Sequence, residues 1–311
     1  MTRKLRLSTS PHIYTSRTTS KVMLDVVIAL LPSAIAGTVL FGLRSLAVIA
    51  TCVITSVLAE AIFALIAKRE QTIGDFSAVV TGLLIALNLS VNCPLWQAAI
   101  GSAFAIIVVK CLFGGIGNNL VNPAITARVF MLISFGTMAK GAFPTGVDST
   151  SGATPLAELA DVGSVTPSVL DLFLGKHGGA IGETCILALI IGLIYLLARK
   201  VITWHIPISF IATVYIFSLI YEGFDFMAAL IWILSGGLFI GAVFMATDYV
   251  TSPATPVGKL IFGFGCGALT VLIRFYGTYP EGVSFAILFM NILTPYIDSL
   301  TPRKLFGGKA K

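Results

Sequence analysis

Chemistry has few places to sit in this chain of 311 residues, and the first is the polar stretch Ser149-Thr150-Ser151-Gly152-Ala153-Thr154-Pro155-Leu156. Thr154 offers a hydroxyl. Gly152 and Ala153 before it leave the backbone open to the approach of another protein, and Pro155 after it stiffens the presentation. The surrounding residues 139–181 gather small, hydroxylated and acidic side chains between two apolar runs, and a connection of that length commonly carries function. On composition alone the same residues also make an ordinary solvated connection.

Two further segments have spacing suited to a ligand. Gly114-Gly115-Ile116-Gly117-Asn118-Asn119 runs into Asn122-Pro123, where Asn122 is placed to cap a helix and Pro123 to open its first turn. Met245-Ala246-Thr247-Asp248 runs into Ser252-Pro253 in the same way. Each predicts a helix start whose free N–H groups and positive dipole end suit an anionic or electron-rich ligand. Asn119, Asn122 and Asp248 are the candidate contacts; the plainer alternative is a pair of capped helix starts whose glycines serve close packing.

Acidic residues in or beside apolar runs form a third group: Asp25, Glu60, Asp75 and Asp248. An intramembrane carboxylate is costly and usually has a purpose. Lys21, one helical turn before Asp25, is its expected ion-pair partner, and Glu60, six residues from a predicted helix end, is expected to snorkel to the interface. No general acid or base is assigned. The five cysteines, Cys52, Cys93, Cys111, Cys185 and Cys266, are odd in number and widely spaced, and the three histidines are scattered. That spacing fits buried thiols, and neither a disulfide framework, a metal site nor an iron–sulfur centre is expected.

The elements that must position these residues are membrane helices. Hydrophobic residues make up 57% of the chain and charged ones 11%, against about a quarter charged in soluble domains. Ten apolar runs follow, at 23–41, 45–67, 77–91, 95–113, 124–138, 182–198, 206–221, 226–246, 257–275 and 281–299. Runs 77–91 and 124–138 are short for a crossing of about 20 residues and are expected to be broken or tilted helices buried among neighbours. Ala34-Ile35-Ala36 spells a cleavage site, but the first run continues through Phe41 and is expected to stay in place.

Charge sets the expected orientation. With the N-terminus cytoplasmic, fifteen of the twenty Lys and Arg residues fall on the cytoplasmic side and only Arg44, Lys140, Lys176 and Arg274 on the other, with Arg128 near the start of a span. The net charge of +6 therefore belongs to membrane orientation, and no nucleic-acid partner is expected. Residues 1–22 read as a cytoplasmic segment, 23–138 as the first membrane half, 139–181 as an extracytoplasmic loop, 182–299 as the second half and 300–311 as a cytoplasmic tail. Five spans on each side of the loop suggest inverted repeats, although Asn118–Ala124 and Asp248–Ala254 fall after the fourth and eighth spans, out of register for a five-helix repeat.

Ser151-Gly152-Ala153-Thr154 resembles the flavinylation signature of the NqrB/RnfD family of Rnf and Nqr redox pumps, and the glycine-rich, Asn-Pro-Ala and Thr-Asp-x-x-Thr-Ser-Pro phrases at Gly114–Ala124 and Thr247–Pro253 are similar to runs in the same family. The likeness covers nearly the whole chain. The short segment before the first span resembles the Rnf D side of the family rather than the quinone-reducing side, which has a long N-terminal extension. The resemblance implies an all-α polytopic membrane subunit with FMN esterified through its phosphate to Thr154, and Ser151, Gly152 and Ala153 as the motif around it. It also implies a second, noncovalent flavin such as riboflavin, expected near Asn119, Asn122 and Asp248. The implied function is relay of electrons between reduced ferredoxin and NAD+, coupled to Na+ or H+ export, in a bacterial or archaeal inner membrane. Implied partners are the other Rnf subunits, a second FMN-bearing subunit and iron–sulfur subunits among them, together with membrane lipid. A ten-helix solute transporter or channel, or a purely structural subunit, are the alternatives.

Overall fold

In a bilayer only the helix itself can satisfy the backbone of an isolated apolar segment, and the apolar runs accordingly become helices. The computed structural model describes residues 17–135, 142–144, 168–277 and 282–302. In chain order the elements are α1 (Thr19–Phe41), α2 (Leu43–Ile66), α3 (Ser77–Leu87), α4 (Leu95–Phe104), α5 (Pro123–Ser134), α6 (Val169–Leu174) and α7 (Ile186–Ala198). They continue with α8 (His205–Tyr221), α9 (Phe226–Leu234), α10 (Leu238–Ile240), α11 (Pro256–Tyr276) and α12 (Val283–Leu300). Two helices widen into π-helical turns at their ends: α4 over Ala105–Cys111 and α10 over Gly241–Met245. An isolated antiparallel bridge joins Ala142 to Gly179, and no strand forms among the described residues.

Helices α1, α2, α11 and α12 are long and apolar enough to cross a membrane. Helices α9 and α10, with its π-helical turn, are together long and apolar enough for one crossing but bend by 65° at the break between them, while α3, α4, α5, α7 and α8 are apolar but shorter. A helix falls within each of the ten apolar runs, four or five of them long enough to cross a membrane, and the protein is an all-helical, polytopic membrane protein. Within the first half α2 packs on α3 and α4; within the second α8 packs on α9 and α11, and α11 on α12. Helix α1 crosses over to α7, and α5 to α12, so the two halves share one core.

The short spans are where that core needs help. Helix α3 stops at Leu87, seven residues before Pro94 precedes α4, and α9 stops at Leu234 before the Ser235-Gly236-Gly237 break. Both ends lie inside the protein, so their carbonyls need donors from elsewhere. For α3 these come from the loop before α7: Gly182 N–H donates to Leu87 O at 2.8 Å and Ile181 N–H to Leu89 O at 3.0 Å. The approach requires glycine, because a Cβ at residue 182 would lie 2.5 Å from the Leu87 Cβ. For α9 the donor is Arg274 of α11, whose Nη1 reaches Trp232 O at 2.6 Å and Nη2 reaches Ser235 O at 3.1 Å. Arg128 of α5 serves the end of α3 in the same manner, donating from Nη1 to Asn88 Oδ1 at 2.7 Å, and Asn88 in turn donates to Leu84 O. A guanidinium beside each broken C-terminus complements the negative end of the helix dipole. The expectation of a broken span holds for α3, whereas Arg274, counted among the extracytoplasmic basic residues, is buried.

Candidate functional site

The starts of α1, α3 and α5 and the ends of α4, α7 and α10 lie at one end of the bundle and enclose a cavity of about 120 Å³. Its walls include Met23, Leu84 and Phe244, with Ser77, Lys110, Asn119, Asn122 and Asp248 supplying the polar groups. Three residues singled out from two distant sequence segments, Asn119, Asn122 and Asp248, therefore meet around one space. Asn122 caps α5 as expected: its Oδ1 accepts from Ala124 N–H at 2.9 Å and from Ile125 N–H at 3.3 Å, and Pro123 opens the helix. Its Nδ2 donates to Met245 O at 3.1 Å, which ties the first half to the turn carrying Asp248.

The second helix start is placed differently from the sequence expectation. Helix α11 begins at Pro256, capped by Thr255 onto Gly258 N–H, not at Ser252-Pro253. The same cap-and-proline chemistry occurs three residues later, and the intervening residues form a turn in which Thr251 donates to Asp248 Oδ2 at 3.1 Å. Asp248 lies in this connection between spans. Burial pushes its carboxyl above the usual range, against hydrogen bonds from Thr251, Asn119 and the backbone N–H groups of Val250 and Tyr249. The N–H groups at the start of α5 that were expected to be free are in part taken by the Asn122 cap, so the polar side chains carry more of the cavity's recognition capacity.

Glu60 does not snorkel. It is 2% exposed and pairs with Lys110, Nζ to Oε1 at 2.7 Å. Lys110 also donates to Ser77 Oγ at 2.6 Å, Ser77 donates to Asp75, and Thr72 donates to the same Glu60 oxygen at 2.6 Å. The widened turn at the end of α4 places Lys110 at the cavity wall, and π-helical turns are frequent at functional sites. Phe76, just before α3, has φ 61°, a left-handed conformation that costs a bulky residue energy and is concentrated at functional sites. Asp25 is reached across helices from α7, by Tyr195 Oη at 3.0 Å and Arg199 Nε at 3.3 Å. Lys110 and Ser77 were not recognised as site residues from the sequence. The available signal was that Lys110 and Glu60 carry opposite charges inside predicted spans.

At the opposite end of the bundle sits the root of the 139–181 connection. Thr154, Ser151, Gly152 and Ala153 lie outside the described residues. The bridge between Ala142 and Gly179 holds the two sides of the connection together, and Glu183 follows, accepting from Ala180 N–H at 2.9 Å with Arg128 at 3.7 Å. His177 is buried there with Nδ1 3.0 Å from Gly178 O and Nε2 3.3 Å from Thr184 O. Burial lowers its pKa, and the carbonyl contacts oppose that shift without reversing it.

A profile of the NQR2, RnfD, RnfE family matches residues 6–307. The chain belongs to that family. Among its relatives is the D subunit of the Na+-translocating ferredoxin:NAD+ oxidoreductase complex of Acetobacterium woodii, 47% identical, with 97% of this chain and 95% of the relative covered. The D subunit of the proton-translocating ferredoxin:NAD+ oxidoreductase complex of Clostridium ljungdahlii is 39% identical over 97% of this chain and 96% of the relative. The D subunit of the ion-translocating oxidoreductase complex of Stutzerimonas stutzeri is 37% identical over 94% and 93%. Family membership agrees with the resemblance read from the motifs and with the all-helical fold.

Proposed function

We propose that this protein is the D subunit of an ion-translocating ferredoxin:NAD+ oxidoreductase complex, and that it carries FMN esterified to Thr154 and relays electrons within that complex. The observation that carries the proposal is near-full-length identity to subunits of that name in a chain that also spells Ser151-Gly152-Ala153-Thr154. Related subunits are named for Na+ in one case and for protons in another, so the coupled ion is assigned only as Na+ or H+. The partners are the complex's other subunits, a second FMN-bearing subunit and iron–sulfur subunits included. The end of the bundle holding the cavity is assigned to the cytoplasm with both chain termini, and the loop root to the opposite side, following the distribution of basic residues.

A noncovalent flavin such as riboflavin is assigned to the cavity at the cytoplasmic end. The residues present fit it: apolar walls for a planar ring, with Asn119, Asn122, Asp248 and Lys110 for its polar edge. A flavin supplies one-electron chemistry, while the protein binds it, orients it and excludes water. The Asn122 link to Met245 fixes the two walls relative to each other. The deciding experiment is in-gel flavin fluorescence of denatured protein made with a flavin transferase, for the parent and Thr154→Val. Fluorescence in the parent band alone supports the assignment; a dark parent band beside a fluorescent control acceptor refutes it.

A further inference from the structure

The cavity's buried lysine has a donor to spare. A lysine ammonium carries three N–H groups. Lys110 gives one to Glu60 and one to Ser77, and among the described residues no acceptor meets the third. The residue is 4% exposed and lines the cavity, so the space open to that third N–H is the cavity rather than bulk water. A charged donor held in a largely apolar wall without an acceptor is strongly unfavourable, and a ligand that supplies one relieves the cost.

The surrounding charges restrict what that ligand is. Glu60 already balances Lys110 at 2.7 Å, and Asp248 stands in the same cavity lining. A phosphate would meet a cation that is already paired together with a half-buried carboxyl. A neutral ring bearing carbonyl or ring-nitrogen acceptors takes the free N–H without adding charge. We propose that Lys110 is the anchor of the cavity: it donates to the acceptor edge of a neutral planar heteroaromatic ligand, with Glu60 and Ser77 as positioning residues that aim the ammonium. This rests on the reading of the cavity as a noncovalent flavin site and specifies which side chain holds the ring edge. Two backbone features serve the aim: the π-helical turn Ala105–Cys111 turns Lys110 inward, and Phe76 in its left-handed conformation leads into Ser77 beneath it.

The test uses the full chain purified in detergent in the Thr154→Val background, so that any flavin present is noncovalent. Released flavin per chain is measured after denaturation, and riboflavin is titrated back into flavin-depleted protein. Glu60→Gln keeps the lysine donor but takes away its counter-charge, and is expected to lose less flavin than removal of the donor itself. Replacing both partners, Lys110→Met with Glu60→Met, removes the donor without stranding a buried charge, and is expected to weaken riboflavin binding by about tenfold or more, the loss of one charge-assisted hydrogen bond. A second readout does not depend on that double variant: in Glu60→Gln the flavin's midpoint potential moves positive, because the cation beside the ring has lost its counter-charge. Unchanged binding in the double variant, loss of flavin in Glu60→Gln equal to that of the double, or an unmoved potential each overturn the anchor. Absence of released flavin from the parent overturns the cavity assignment and the anchor together, whereas flavin retained in every variant overturns the anchor alone.

Discussion

Removing one member of the Lys110–Glu60 pair is expected to harm the protein more than removing both. At 2.7 Å and an effective dielectric of about 20, the attraction is about 6 kcal/mol. Extracting each ion from water opposes this by several kcal/mol, so the net value of the pair against a packed apolar replacement is near zero. Lys110→Met alone leaves Glu60 buried with Thr72 as its hydroxyl donor and its other oxygen, Oε2, without a hydrogen bond. That situation costs about 3–5 kcal/mol, equivalent to roughly 5–8 °C in Tm at about 2.1 cal/mol/K per residue over a chain of this size. Lys110→Met with Glu60→Met is expected to stay within about 2 °C of the parent. Thermal unfolding in detergent micelles, followed through the three tryptophans, measures both. The reasoning is refuted if the double variant is destabilised by the sum of the two single effects, because then the two side chains do not compensate each other.

Other expectations follow from the same structure. Gly182→Ala forces a methyl group to within 2.5 Å of Leu87 Cβ and should destabilise by about 1–3 kcal/mol, read as a lower Tm in detergent. Arg274→Met withdraws the donors from Trp232 O and Ser235 O and should cost about 2–4 kcal/mol, with faster hydrogen exchange confined to the end of α9; a uniform change across the chain would count against the local role. Asn122→Ala removes the α5 cap and the link to Met245, costing about 1–2 kcal/mol and lowering retained noncovalent flavin. His177, whose folded-state pKa is lowered below 6.5 by burial, binds its proton more readily when unfolded. Its contribution is therefore present above about pH 6.5 and is lost as the pH falls from there toward the folded value. Proteolysis of the loop root should accelerate on acidification in the parent, and less so in His177→Gln.

Local chemistry was legible in the sequence, and chemistry between distant segments was not. The Asn122-Pro123 helix start could be read because cap and proline are adjacent, and the ten spans because hydropathy is a property of each run. Ser252-Pro253 misled because Thr255-Pro256 offers the same cap and wins through its bond to Gly258 N–H. Glu60 and Lys110 are fifty residues apart, so nothing local separates a buried partner from a snorkelling side chain. Arg274 was counted only as an extracytoplasmic charge because the helix end it serves, at Ser235, lies on another span. The meeting of Asn119, Asn122 and Asp248 is the converse case: each was recognised by type and flanking glycines or proline, but only the packing of two halves brings them to one cavity.

The small bridge between Ala142 and Gly179 sets a leash. It gathers the entry and exit of the long connection at one point on the body. Thr154 is ten residues beyond Pro144, the last described residue before it, so the chain itself limits their separation to roughly 35 Å. Any partner that exchanges electrons with a group on Thr154 must present its own redox centre inside that radius. A single protease cut on the far side of Thr154 would leave the group attached through the shorter arm.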